Sequence, residues 1–230
     1  MKKFFSPKYY FYKFKIFRNN RLIKKYGPYD KRTFNSDIQL KNFQNLNDIG
    51  LCESSLFIDG GSHRGEELSY LVDIGCHVHG FEIHPEHFKN LKAIYGKNKK
   101  ITLNNKGIGT QKGTQKAYFK RKSKLASMSL FREKDNINEK EYISIEIIDI
   151  AEYIEKLSAQ VDVLKLDIEG GEFEIIEHLI RTGTIDKIKY IFFEDHLSKF
   201  NNSDEWKRKR LIVKNLIKAQ KYENKFYEWF

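Results

Sequence analysis

The stretch Leu56-Phe57-Ile58-Asp59-Gly60-Gly61-Ser62-His63-Arg64-Gly65-Glu66-Glu67 decides the fold. A short apolar run ends in an acid and two glycines, the mark of a buried strand stopping at a tight turn. Leu68, Leu71 and Val72 then fall on one helical face, with Gly75 as the stop. The same alternation repeats outward from there. Val78 to Glu82 reads as a second strand, and Pro85 opens a helix with Phe88, Leu91 and Tyr95 in phase, followed by Gly96. Ile101 to Leu103 starts a third strand, Ala117 to Phe119 is extended, and Tyr142 to Ile148 alternates as a strand. Val161 to Asp167 is a strong buried strand, and Glu172 to Arg181 a helix that Gly183 ends. Ile188 to Glu194 is a strand, Trp206 to Gln220 a basic helix, and Phe226 to Phe230 a closing strand. Strands alternating with helices of about ten residues predict parallel βαβ units, hence an α/β, doubly wound, three-layer α/β/α sheet. No internal repeat is present.

Composition sets the limits on function. With 230 residues and 40% hydrophobic content, the chain suits one domain with a sizeable core. No apolar run approaches the ~18–20 residues that span a bilayer, and Tyr and Lys interrupt every apolar stretch near the N-terminus, so no signal peptide is read there. Two cysteines, Cys52 and Cys76, make neither a disulfide framework nor a zinc set, and a reducing cytoplasm is the expected compartment. The net charge of +11 is uneven. Residues 1–29 carry nine Lys and Arg and no acid, residues 199–230 nine basic and four acidic side chains, and the middle is slightly acidic. Basic ends on a near-neutral body argue against a nucleic-acid groove. The expected division is a basic aromatic arm with linker and short helix over 1–50, then the main domain over 51–230. Nine aromatics and nine cations in residues 1–26 suit either peripheral contact with an anionic membrane or charged glycan, or packing of the aromatics on the domain.

In a doubly wound sheet, ligands sit outside the carboxyl ends of the strands. Four predicted strands end in an acid, namely Asp59, Glu82, Asp167 and Glu194. Such a rim favours a ligand that is cationic or rich in hydroxyls over one rich in phosphate. The glycines fall as Asp59-x-Gly61-x-x-x-Gly65, one residue too long for the dinucleotide fingerprint, which disfavours a nicotinamide dehydrogenase. Gly61 lets the backbone approach a ligand, and Glu82, at the end of the next strand, can accept both hydroxyls of a ribose.

These stretches resemble S-adenosylmethionine-dependent methyltransferases, and more closely the FkbM family. FIDGGSHRG (57–65), FEIHP (81–85), KGIGTQKG (106–113), ASMSLF (126–131), LKLDIEGGE (164–172) and FFEDH (192–196) stand in that family's order. The chain departs at His63, where the family tends to have Asn, and at Ile83-His84, where it tends to have Pro-Asn. The resemblance implies a Rossmann-like methyltransferase sheet, mostly parallel with an antiparallel edge strand. The run after the last helix leaves little room for the fold's final two strands, which predicts a truncated or atypical edge. It implies S-adenosyl-L-methionine as cofactor and methyl transfer to oxygen, on a sugar hydroxyl of a glycan, polysaccharide or glycolipid. Gly61, Ser62 and Gly65 would hold the methionine end, Glu82 the ribose, Ile83 and Ile108 the adenine. Asp59 and Asp167 would lie near the ammonium or sulfonium charge.

On the acceptor side an alcohol needs its proton removed, and the candidates are Asp167, Glu169, Glu194 and His196. Of these, only His196 has an ordinary pKa near neutrality. Asp167, Glu169, Glu194 and Asp195 are also of the type that hold a divalent metal, but no EF-hand-like or His-rich signal accompanies them, so no metal is expected. His77, His79 and His178 read as surface or packing residues. The rival readings are an RNA methyltransferase gripped by the two basic ends and a cofactor-binding module without chemistry. The acidic body disfavours the first, and the acids at 167, 169 and 194 disfavour the second.

Overall fold

A computed structural model describes residues 36–121, 127–196, 199–200 and 203–229. The basic aromatic arm expected over 1–29 lies outside the described residues. Helix α1 (Ser36–Asp48) leads into β1 (Leu56–Gly60), α2 (Leu68–Ile74), β2 (His77–Phe81), α3 (Pro85–Tyr95) and β3 (Ile101–Asn104). Three further strands follow: β4 (Gly107–Gly109), β5 (Gly113–Lys120) and β6 (Ile137–Asp149). The second half runs α4 (Ile150–Glu155), β7 (Val161–Leu166), α5 (Glu172–Thr182), β8 (Ile188–Phe193), α6 (Ser203–Ala219) and β9 (Phe226–Glu228). No described helix is long and apolar enough to cross a membrane.

Six strands pair in the order β3-β2-β1-β7-β8-β9. Residue parity sorts the core into two layers, because successive side chains of a strand point to opposite faces. Phe57, Val78, Val163 and Phe192 pack with Leu46 of α1, Leu68 and Leu71 of α2, and Leu91 of α3. Ile58, Leu164 and Ile191 pack on the other face with Ile150 and Ile154 of α4, Ile176 and Leu179 of α5, and Val213 of α6. Each such side chain contributes roughly 1.5–3 kcal/mol on burial. The result is the expected three-layer α/β/α, Rossmann-like sheet.

Its edge differs from the expectation. β9 pairs with β8 in parallel, Ile191 opposite Phe226 and Phe193 opposite Glu228, where an antiparallel edge was expected. The cause is the connection: α6 carries the chain back along the sheet before β9 begins, and a strand–helix–strand crossover returns a strand in the same direction. Antiparallel pairing occurs instead in a second, three-stranded sheet, β4-β6-β5, in which β5 and β6 run antiparallel and β4 joins β6 in parallel. Ala117, Met128, Ile145 and Ile147 form its small core, with Ile83 and Leu130 packed against it. Gly107-Ile108-Gly109 is therefore a short strand of this sheet, and it fastens the second sheet beside the carboxyl ends of the first.

Candidate active site

The strand order reverses between β1 and β7, the switch point at which such sheets bind ligands. Backbone bonds lay the four predicted strand-end segments side by side there. Glu82 donates its N–H to Asn104 O at 3.0 Å, Gly61 and Ser62 donate theirs to Phe81 O at 3.0 and 2.9 Å, Asp167 to Gly60 O at 3.0 Å, and Glu194 to Leu166 O at 3.0 Å. Gly61 has φ +79°, and a Cβ on it would stand 1.8 Å from the Asp167 carbonyl oxygen. Only glycine lets the ends of β1 and β7 close to this distance.

A cavity of about 300 Å³ opens at this rim. Glu66, Glu67, Glu82, Asp167, Glu169 and Glu194 line it, with Ile83, Ile108, Met128 and Leu130 as apolar walls. Five of the residues expected to hold the cofactor thus meet on one cavity: Gly61, Glu82, Ile83, Ile108 and Asp167. Asp59, Ser62 and Gly65 stand behind the wall. The Ser62 hydroxyl donates to Asp59 O at 3.2 Å, and a Cβ on Gly65 would press on Leu91 at 2.7 Å, so both serve the turn's packing.

Glu82 does more than line the wall. Its two carboxylate oxygens accept the backbone N–H groups of His63 at 2.6 Å and His84 at 2.7 Å, tying the glycine turn to the end of β2. Burial pushes the Glu82 carboxyl up, against the pull of His63 and those N–H groups. His63 itself takes a left-handed φ of 46°, a conformation uncommon for residues other than glycine.

Asp59 forms a buried ion pair. Lys165 Nζ donates to Asp59 Oδ1 at 3.0 Å and to Gly61 O at 2.9 Å, with both side chains essentially inaccessible. Burial presses the Lys165 ammonium toward neutrality, but Asp59, Asp167 and Glu67 outweigh it and hold the charge firmly. Among the described residues Glu67 forms no ion pair of this kind. Burial pushes it up to about 8, against the pull of Lys165 and with Glu66, Asp59 and Asp167 adding repulsion. At neutral pH this carboxyl keeps its proton, and a positive ligand beside it would release it.

The acceptor-side candidates separate into three environments. Glu169 is pinned: Lys134 and Ser127 touch its carboxylate, and Lys120 Nζ lies at 2.8 Å. Burial, with Lys120 and Lys199 nearby, pushes Lys134 down to about 7, while contact with Glu169 favours its charged form. Asp167 and Glu194 face the cavity. His196 is 1% exposed and lies behind them, away from the wall. Its Nδ1–H donates to Glu172 Oε1 at 2.9 Å, which also accepts the N–H groups of Ile168 at 3.2 Å and Gly170 at 3.1 Å. The same carboxylate therefore shapes the Asp167–Gly171 loop and orients the imidazole.

Several of these residues escaped the sequence reading. Lys165, a cation inside an apolar strand run, is the one with a visible signal. Glu67 follows the glycine turn directly, and its consequence comes from burial, which spacing does not reveal. Lys120 and Lys134 reach Glu169 through long-range pairing. His77 is exposed, as expected. His79 meets the Tyr153 hydroxyl at 2.9 Å and His178 meets Asp149 at 3.0 Å, both packing roles. Cys52 and Cys76 are free.

No curated protein and no solved structure matches the chain. The Methyltransferase FkbM domain family matches residues 59–222, from Asp59 near the end of β1 to Tyr222, just after α6. That span contains the glycine turn, the strand-end acids and every motif quoted above from Asp59 onward, and it covers more than half of the chain, which therefore belongs to the FkbM methyltransferase family.

Proposed function

We propose that the chain is an S-adenosyl-L-methionine-dependent O-methyltransferase acting on a sugar hydroxyl of a glycan, polysaccharide or glycolipid. The observation that carries this reading is the acid-lined cavity at the switch point, with Glu67 buried among Glu66, Asp59 and Asp167. The donor set fits the cofactor: carboxylates for a sulfonium and an ammonium, and Ile83, Ile108, Met128 and Leu130 as apolar surfaces for a purine. When bound, that group supplies an electrophilic methyl. Glu82, already fixed by two backbone N–H groups, offers its remaining lone pairs to the ribose hydroxyls. Asp167 and Glu194 face the same cavity and are placed to accept a proton from an acceptor hydroxyl. The acidic walls repel a polyanion, which supports a neutral sugar over RNA as acceptor.

The test is calorimetric titration of the full chain with S-adenosyl-L-methionine, followed by transfer of labelled methyl to candidate polysaccharides and to RNA. Glu82→Ala should weaken cofactor binding by about 1–3 kcal/mol, the worth of a lost hydrogen bond to a charged group. Unchanged affinity in that variant removes Glu82 from the ribose, and label in RNA with none in polysaccharide overturns the acceptor class.

A further inference from the structure

We propose that Asp167, Glu194 and His196 form a binding site for one divalent transition-metal cation in the wall of the cavity. Binding itself is independent of the methyltransferase reading, which supplies only the role the ion would play. Ligating atoms of the three side chains lie within 4.8 Å of one another. His196 Nε2 is buried and has no hydrogen-bond partner among the described residues. Because Glu172 accepts the Nδ1–H, the neutral ring must present a lone pair at Nε2. Three carboxylates lie around Nε2, with Glu194 Oε1 at 3.3 Å, Glu169 Oε2 at 3.7 Å and Asp167 Oδ1 at 3.8 Å. A buried lone pair facing anions is repulsive until a cation stands between them.

A proton could serve as that cation, but the distances argue for a metal. Charge-assisted N–H···O bonds close to about 2.7–2.9 Å, shorter than any of these separations. Ligands about 2.1 Å from a shared ion lie roughly 3.0–3.5 Å apart, close to the Glu194 separation and slightly below that of Asp167. Glu169 is not a ligand, since Lys134, Lys120 and Ser127 occupy its carboxylate. Asp167 turns Oδ2 toward Lys165 at 3.9 Å and Oδ1 toward His196. The counter-cation on Glu194 is Lys199, 3.0 Å from Oε1 and 43% exposed, so it is free to swing into solvent.

The Glu172–His196 contact is the outer-shell carboxylate that metal-bound histidines carry. One imidazole with two carboxylates favours Mn2+ or Zn2+ over Ca2+. With His196 behind and the two acids at the cavity wall, an ion held by them would be reached from the cavity. A hydroxyl coordinated there would be acidified, its proton passing to water at the cavity mouth.

The experiment titrates chelator-treated full chain with MnCl2, without cofactor or acceptor, by calorimetry and electron paramagnetic resonance. One Mn2+ per chain should bind, with nitrogen coupling from the imidazole in the pulsed spectrum. His196→Gln and Asp167→Asn should each lose about tenfold or more in affinity, and Glu172→Gln about 10–100-fold. Lys199→Ala should bind as tightly as the wild type or more so. No saturable binding, a spectrum without nitrogen coupling, or affinity unchanged in His196→Gln overturns the site. The nitrogen coupling needs no variant and decides the matter even if His196→Gln fails to fold. Cofactor titration of the same samples separates the two readings. Cofactor binding without Mn2+ binding refutes the site alone, and Mn2+ binding without cofactor binding refutes the methyltransferase reading alone.

Discussion

Replacing Glu67 with Gln removes a buried carboxyl that burial pushes up to about 8, with Lys165 pulling against it and Glu66, Asp59 and Asp167 adding repulsion. In the unfolded chain a glutamate titrates near 4.3, so the shift is roughly 3–4 units, or about 4–5 kcal/mol at ~1.4 kcal/mol per unit. Between these two pKa values the folded chain binds more protons than the unfolded one. The contribution of Glu67 to stability must then fall as pH rises through roughly 4 to 8 and level off above it. Glu67→Gln should lose this slope, matching the wild type near the acid end and exceeding it by several kcal/mol at the alkaline end. Urea unfolding followed by circular dichroism across this range measures both curves. A second readout uses the cofactor. A sulfonium in the cavity favours ionised Glu67, so binding at neutral pH should release protons, seen by calorimetry in buffers of different ionisation enthalpy. S-adenosylhomocysteine, without the sulfonium charge, should release fewer, and Glu67→Gln none from this carboxyl. Parallel stability curves for wild type and variant would refute the reasoning.

Lys165→Met strands Asp59 without its counter-ion, which for a buried pair costs about 3–5 kcal/mol. At roughly 2–4 °C per kcal/mol for a chain of this size the melting temperature should drop about 6–20 °C, and adding Asp59→Asn should recover part of it. A double variant as unstable as the sum of the two singles contradicts the pairing. Gly61→Ala drives a methyl onto the Asp167 carbonyl and should destabilise the chain by several kcal/mol or prevent folding, read from soluble yield and melting temperature. An unchanged melting temperature would show that β1 and β7 need not approach so closely.

The main sheet was legible because β1, β2, β7 and β8 are largely apolar runs closed by an acid or glycine, and parallel strands buried on both faces read that way. Gly75 and Gly183 end their helices where the spacing placed them. The second sheet was legible only in part. Tyr142 to Ile148 alternates, but β6 begins at Ile137, in a polar stretch whose pairing depends on β5. The site shows the same limit. Strand-end acids announce themselves by position, so the placing of Glu82, Asp167 and Glu194 at the cavity rim was legible. Glu172 reads as an ordinary first-turn acid of α5, yet its carboxylate folds back to three donors, one of them on His196. Whether a residue faces the cavity or stands one layer behind it, as Asp59 and His196 do, is set by side-chain depth, and no periodicity in the sequence encodes depth.

The Asp59–Lys165 pair joins residues 106 positions apart. The β1–β7 pairing it belongs to is the seam between the two halves of the chain. Closing a loop of that length carries a large entropic cost before any contact offsets it, and such long-range parallel pairing is slow. Each half can shape its own strands and helices locally, but neither holds a cavity. Glu82 and the glycine turn come from one half, Asp167 and Glu194 from the other. A nascent chain therefore cannot bind its ligand until β7 has been made and has docked on β1, and ligand binding reports completion of the fold rather than the state of any one segment.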